Sequence, residues 1–151
     1  MRRGWSTKIL FKDVSGSILI CSCNNGHGIV VEVASVYIPP AQTGCFNPDI
    51  MNGCNTWGIL EEKTREFPRT IWLGDFNARI GRFLEEVFGY SCLDRKVNGN
   101  SLRMIKWMEE TDLTVVPGEN MVVTPTYIDT RKEKESRSGL DFILIPREWQ
   151  E

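Results

Sequence analysis

Asp75 and Asn77 stand two residues apart, directly after the apolar run Thr70-Ile71-Trp72-Leu73-Gly74. Two polar side chains so placed, where a chain leaves a sheet, can point into one cavity. A carboxylate there can hold or deprotonate a water. An amide beside it can donate to a phosphate oxygen. The same pair can also do no more than cap a turn, so spacing alone leaves both readings open. Gly74 permits a sharp turn and a close backbone approach just before the pair.

Asp141 is the second unusual position, a carboxylate inside the apolar run Leu140-Asp141-Phe142-Ile143-Leu144-Ile145. Strand alternation sets it on the face of Ile143, opposite Leu140 and Phe142. An ionised group in such a strand calls for a partner or for an exposed position on an edge strand. Tyr37 closes a long apolar run just before Pro39-Pro40; its hydroxyl could contact a phosphate, or it could be an ordinary core or rim tyrosine. Arg79, Arg82 and Arg137 are either phosphate donors or solvated surface groups. His27 is the only histidine, so a histidine mechanism has one candidate. Cys21, Cys23, His27 and Cys45 can be strung together as zinc ligands, but Cys-x-Cys on a strand is more simply two side chains on one face. The five tryptophans share no spacing and read as packing, not as a stacking platform for bases.

The elements that must position these residues are mostly strands. Thr7 to Phe11 suits an edge strand. Ser17 to Cys23 and Ile29 to Ile38 suit two strands of a hairpin joined at Asn24-Asn25-Gly26. Pro39-Pro40 ends the second strand. Asn47 to Asn55 is turn-rich. Thr56 to Phe67 reads as a helix with Trp57, Leu60, Thr64 and Phe67 near one face, stopped by Pro68. Thr70 to Gly74 is apolar throughout, as expected of a strand buried on both sides. A loop is expected from Asp75 to about Gly89. Possible N-caps at Asn98 to Ser101 precede a helix from Leu102 to about Thr111, with Leu102, Ile105 and Met108 as its core stripe. Leu113 to Val116, Met121 to Ile128 (interrupted at Pro125) and Leu140 to Ile145 complete the strands, with a charged loop over Arg131 to Arg137. This pattern predicts an α/β class, a layered sandwich with much antiparallel pairing, in one domain spanning 1–151.

Composition narrows the partners. The chain has 151 residues, 41% hydrophobic and 25% charged, an ordinary globular mixture able to bury one core. A net charge of −2 argues against a generic nucleic-acid coat and leaves room for an enzyme that touches a few phosphates. The odd cysteine count shows no disulfide framework and suits a reducing compartment. No apolar run approaches a membrane span and no signal core follows the basic start. The expectation is a nuclear or cytoplasmic protein, not secreted and with no membrane partner.

Taken in order, the motifs resemble one family. Val36-Tyr37-Ile38-Pro39-Pro40 resembles a strand ending in Tyr-x-Pro, and Gly74-Asp75-Phe76-Asn77 matches the family's Gly-Asp-Phe-Asn without substitution. Asn98-Gly99 through Leu113 resembles the helix after that motif. Ser136 to Leu144 resembles the late strand Ser-x-Ile-Asp-Tyr-Ile-Leu. The family is the endonuclease/exonuclease/phosphatase (deoxyribonuclease I-like) superfamily, in the flavour of non-LTR retrotransposon endonuclease domains, which are associated with reverse transcriptases. The resemblance covers roughly Ser17 to Ile145. It implies a two-sheet α/β sandwich and Mg²⁺-dependent hydrolysis of nucleic-acid phosphodiesters, with DNA ahead of RNA. By analogy Asp75 orients the attacking water, Asn77 and Tyr37 hold the scissile phosphate, and Asp141 orients a catalytic histidine.

The family pattern also has parts this sequence does not show. It begins with a strand bearing an Asn and another bearing a metal-binding Glu, and it ends with a Ser-Asp-His segment. None of these is matched here, and Pro117 stands where Asn is common. The expectation is therefore an incomplete domain lacking the first strands and the last strand. Magnesium would bind weakly without the Glu, and hydrolysis by these 151 residues alone would be weak or absent. A second chain or a longer parent protein would complete the site. The alternatives are a non-catalytic remnant or partner-binding fragment of such a domain, and a phosphatase of the same superfamily.

Overall fold

A computed structural model describes residues 4–40, 56–92, 96–116, 122–123, 126–130 and 136–150. Its centre is a six-stranded mixed sheet. The strands are β1 (Ser6–Lys12), β2 (Ile18–Asn24), β3 (Val30–Tyr37), β4 (Thr70–Asp75), β6 (Leu113–Val115) and β10 (Asp141–Pro146). Their spatial order is β1-β2-β3-β4-β10-β6. Two short ladders lie outside it: β5 (Ser91–Cys92) with β7 (Val122–Val123), and β8 (Tyr127–Asp129) with β9 (Ser136–Ser138). Among the described residues three α-helices intervene: α1 (Thr56–Glu66), α2 (Gly81–Phe88) and α3 (Gly99–Glu110).

Local chemistry explains the joints. The β2–β3 hairpin turns through Asn25, whose side chain accepts from the backbone N–H groups of His27 and Ile29, while Asn25 N–H donates to the Ile29 carbonyl at 3.1 Å. Asn side chains favour such turns because they replace missing ladder acceptors. Asp13, nearly buried, accepts from the Ile18 backbone N–H at 2.6 Å and organises the β1–β2 turn. Strands β3 and β4 run parallel, with the α1 crossover between them, as a parallel pair requires.

Alternation divides the sheet into two faces. Ile18, Ile20, Ala34, Val36, Trp72, Phe142 and Leu144 are buried on one face under residues of α1 and α3. Trp107 of α3 is the hub, packing edge-on to Trp72 (5.6 Å) and Trp57 (6.2 Å) and stacked on Phe76 (5.8 Å). Its indole N–H donates to Thr64 Oγ1 at 3.0 Å, and Thr64 donates on to the Leu60 carbonyl. A buried polar group thus stays paired within an aromatic core.

The structure alters three sequence expectations here. Strand β4 is buried on one face only, with Leu73 still 36% exposed. The core stripe of α3 is turned from the expected one: Leu102 is 71% exposed, and Ser101, Met104, Trp107 and Met108 face inward. The expected loop after Asp75 contains α2, whose Phe83, Leu84 and Phe88 face the core and which ends at Gly89 in the left-handed region. The turn-rich stretch 47–55, Cys45, Pro117 and Pro125 fall outside the described residues. Among the described residues, no helix is long and apolar enough to cross a membrane.

Candidate active site

The motif Gly74-Asp75-Phe76-Asn77 divides its labour residue by residue. Gly74 has φ +147°, and a Cβ placed there would lie 1.9 Å from the Val36 carbonyl oxygen. No side chain fits, so glycine here is a condition of β3 meeting β4. Phe76 is fully buried against Trp107 and Phe142, and its N–H donates to the Leu140 carbonyl at 3.0 Å. It anchors the turn from below. Asn77 takes φ +45°, a left-handed conformation that asparagine tolerates better than most residues.

Sheet register brings three predicted residues into one row. Tyr37 pairs with Asp75 across the parallel β3–β4 ladder. Asp141 pairs with Asp75 across the antiparallel β4–β10 ladder. Directly paired residues present their side chains to the same face. Tyr37, Asp75 and Asp141 therefore share the open face, opposite the helices. Tyr37 is half-exposed, Asp75 partly buried and Asp141 exposed. One step below them, Ser35, Leu73 and Ile143 continue the same face.

Asn77 sits immediately beyond this row. Its backbone N–H donates to Asp75 Oδ1 at 2.8 Å, and its side-chain Nδ2 donates to the Ile38 carbonyl at 2.9 Å. The Ile38 N–H in turn donates to the Asp75 carbonyl at 2.8 Å. The end of β3 and the end of β4 are thus cross-tied. The Asn77 amide is engaged in that tie and also hydrogen-bonds the Asp75 carboxylate, so it stands directly beside the group that would meet a ligand. The start of β10 is fixed separately, by Thr126 Oγ1 accepting from the N–H groups of Leu140 and Asp141 at 3.1 Å each.

Burial pushes the Asp75 carboxyl above the ordinary carboxylate range, and the nearby Asp141 charge pushes the same way. The Asn77 backbone and side chain oppose the shift by stabilising the ionised form. A carboxylate made more basic in this manner is suited to take a proton from water.

Other predicted residues fall elsewhere. His27 lies in the β2–β3 turn, at the other end of β3 from Tyr37. At a rise of ~3.3 Å per residue, the length of β3 puts it on the order of 20 Å from the row. It cannot serve these carboxylates. Arg82 is exposed and paired with Glu86 at 2.8 Å. Cys21 and Cys23 are free thiols on one face of β2. The magnesium implied by the resemblance needs oxygen ligands. Asp75 and Asp141 offer two carboxylates. Among the described residues no group of three His, Cys, Asp or Glu side chains comes together to hold a metal. The described residues do not assemble a metal centre by themselves.

The mixed sheet thus carries helices on one face and gathers polar residues at the ends of β3, β4 and β10, an α/β fold of the deoxyribonuclease I-like kind. Similar solved structures are the endonuclease domain of TRAS1, a telomere-specific non-LTR retrotransposon (14% identity, TM-score 0.64, covering 95% of this chain and 57% of that one), and the human Nocturnin catalytic domain with a bound sulfate (15%, 0.45, 93% and 48%). The first supports the fold; the second is too distant to carry an argument. The chain spans about half the length of either structure. No family model matches the sequence, and no curated protein matches it. The resemblance carried by Gly74-Asp75-Phe76-Asn77 is borne out at the level of fold.

Sequence reasoning overlooked the residues that hold this site together. Asn98, Asn100 and Ser101 were visible only as helix caps. Their donors reach the turn that carries Asn77 and Arg79. No spacing rule connects positions more than twenty residues apart, so the signal was absent from the sequence.

Proposed function

We propose that this chain carries the water-activating half of a phosphodiesterase site that acts on nucleic acid, as an endonuclease-type domain. The observation behind this reading is the single register row of Tyr37, Asp75 and Asp141 with Asn77 tied in beside it. Asp75 orients and deprotonates the attacking water. The Asn77 side-chain amide and the exposed Tyr37 hydroxyl donate to the oxygens of the scissile phosphate, where charge builds in the transition state. Asp141 orients a histidine supplied from outside the described residues, because His27 is at the far end of the sheet. Magnesium binding is weak with two carboxylates, and in the assay the ion is supplied in solution. A second reading, a non-catalytic fragment of such a domain, draws on the same absence of a nearby histidine and third acidic group among the described residues.

Nicking of supercoiled plasmid DNA in Mg²⁺, with EDTA and Asp75→Ala as controls, separates the two. The catalytic reading expects nicking that both controls abolish. Removal of a water-activating group costs roughly 10²–10⁴-fold in rate. No nicking, or nicking that survives Asp75→Ala, favours the non-catalytic reading.

A further inference from the structure

The geometry points to Asn100, acting with Asn98 at the start of α3, as the positioning residue that sets the Asp75–Asn77 turn and locks it to the end of β3. The inference deepens the reading above and rests on it for its catalytic consequence. The positioning itself is read from hydrogen bonds alone.

Asn100 is 5% exposed and is the second residue of α3, and its side-chain amide reaches backbone carbonyls outside the helix. Its Nδ2 lies 3.0 Å from the Pro39 carbonyl and 3.3 Å from each of the Phe76 and Asn77 carbonyls. Two hydrogens for three acceptors make one of these bonds shared. Each of those acceptors belongs to the segment after Tyr37 or to the motif around Asp75. Asn98 Nδ2 adds a second donor to the Asn77 carbonyl, at 2.6 Å. A left-handed residue turns its carbonyl out of the ladder, where it needs another partner. Here that carbonyl receives two.

Ser101 completes the fastening. Its hydroxyl oxygen accepts from the N–H groups of Asn98 (2.8 Å) and Arg79 (3.2 Å). Its one proton is within reach of both the Arg79 carbonyl and Asn98 Oδ1. Cap and turn are therefore one network: the groups that begin α3 also fix residues 76–79. A turn so held keeps Asn77 N–H on Asp75 and keeps the Asn77 amide at the height of the register row. Without Asn100, the segments after β3 and β4 lose their common donor and are tied to one another only through Asn77 and Ile38.

The experiment is amide hydrogen exchange, followed by NMR on the full chain, for Asn100→Ala and Asn98→Ser. Serine remains a good N-cap but lacks the donor to the Asn77 carbonyl, so Asn98→Ser carries the test should Asn100→Ala fail to fold. The expected result is loss of protection at Asn77 N–H on the order of tenfold, with the amides in the middle of β4 and β10 unchanged. The Asp75 carboxyl should titrate higher in the same variants, since the N–H that favours its ionised form is released. Unchanged protection at Asn77 would overturn the inference. So would an equal loss across the whole sheet, which is the mark of a general stabilising role. A chain that shows the local loss yet never nicks DNA would retain the positioning and reject the phosphodiesterase reading.

Discussion

Trp72 and Leu73 are neighbours on β4, and they face different surroundings. Trp72 is fully buried beneath Trp107, whereas Leu73 is over a third exposed, below Asp75 on the open face. The same division runs through β10, where Phe142 and Leu144 are buried while Asp141 and Ile143 are exposed. One strand thus supplies core and chemistry by turns. The helix-covered face fixes backbone positions through close packing, and the open face displays whatever those positions carry. Stability should belong mainly to the first face and reactivity to the second.

The largest expected effect tests the joint between them. Gly74→Ala puts a Cβ 1.9 Å from a backbone oxygen of β3. Backbone cannot yield as a flexible side chain would, so the pairing of β3 and β4 must shift. A loss of about 4 kcal/mol or failure to fold is expected, at the exceptional end for single substitutions. Urea unfolding measures it. A loss below ~1 kcal/mol would mean that the two strands separate readily and that the register row is not rigid.

Next comes the direct contrast of neighbouring residues. Trp72→Ala should cost about 3–5 kcal/mol, the usual range for a large aromatic removed from a packed core. Leu73→Ala should cost under ~1 kcal/mol, because solvent already reaches the side chain. The same unfolding series compares both. Equal losses would show that something covers the open face in solution, and the contrast between the faces would fail.

These residues also show how far the sequence could be read. Gly74, Asp75, Phe76 and Asn77 are contiguous, and the order of the motifs marks Tyr37 and Asp141 beside them; their meeting in one row comes from strand pairing, which no spacing in the sequence states. The apolar run Ile71 to Leu73 suits a strand buried on both sides, and composition cannot say that one of its faces is left open. Spacing alone favours Leu102, Ile105 and Met108 as the α3 stripe; in the fold Met104 and Trp107 are fully buried, and the packing of Trp107 against Trp72, Trp57 and Phe76 sets the helix rotation. In α2 the signal was present, with Phe83, Leu84, Val87 and Phe88 recurring at helical spacing before Gly89. The helix spans little more than two turns, short enough to pass for a loop. The Asn98–Asn100–Ser101 network was beyond reach, since its acceptors are backbone carbonyls distant in sequence.

The smallest effect isolates the open face electrostatically. Burial and the Asp141 charge raise the Asp75 pKa in the folded chain. Between its unfolded and folded pKa values the folded state then holds more protons than the unfolded one. The stability this group contributes is present below the unfolded value and is lost as pH rises through the folded one. Asn in place of Asp75 keeps an oxygen for the Asn77 N–H and removes the charge. Asp75→Asn should therefore be slightly more stable than the parent near neutral pH, by ~0.5 kcal/mol or less given the solvent exposure. The advantage should shrink to nothing on acidification below the ordinary carboxylate range. Urea midpoints from pH 7 down to about pH 3 would follow this. A variant less stable than the parent at neutral pH would show that the Asn77 donors outweigh burial. Asp75 would then be a stabilised anion, less basic than an isolated carboxylate, and a weaker candidate for taking a proton from water.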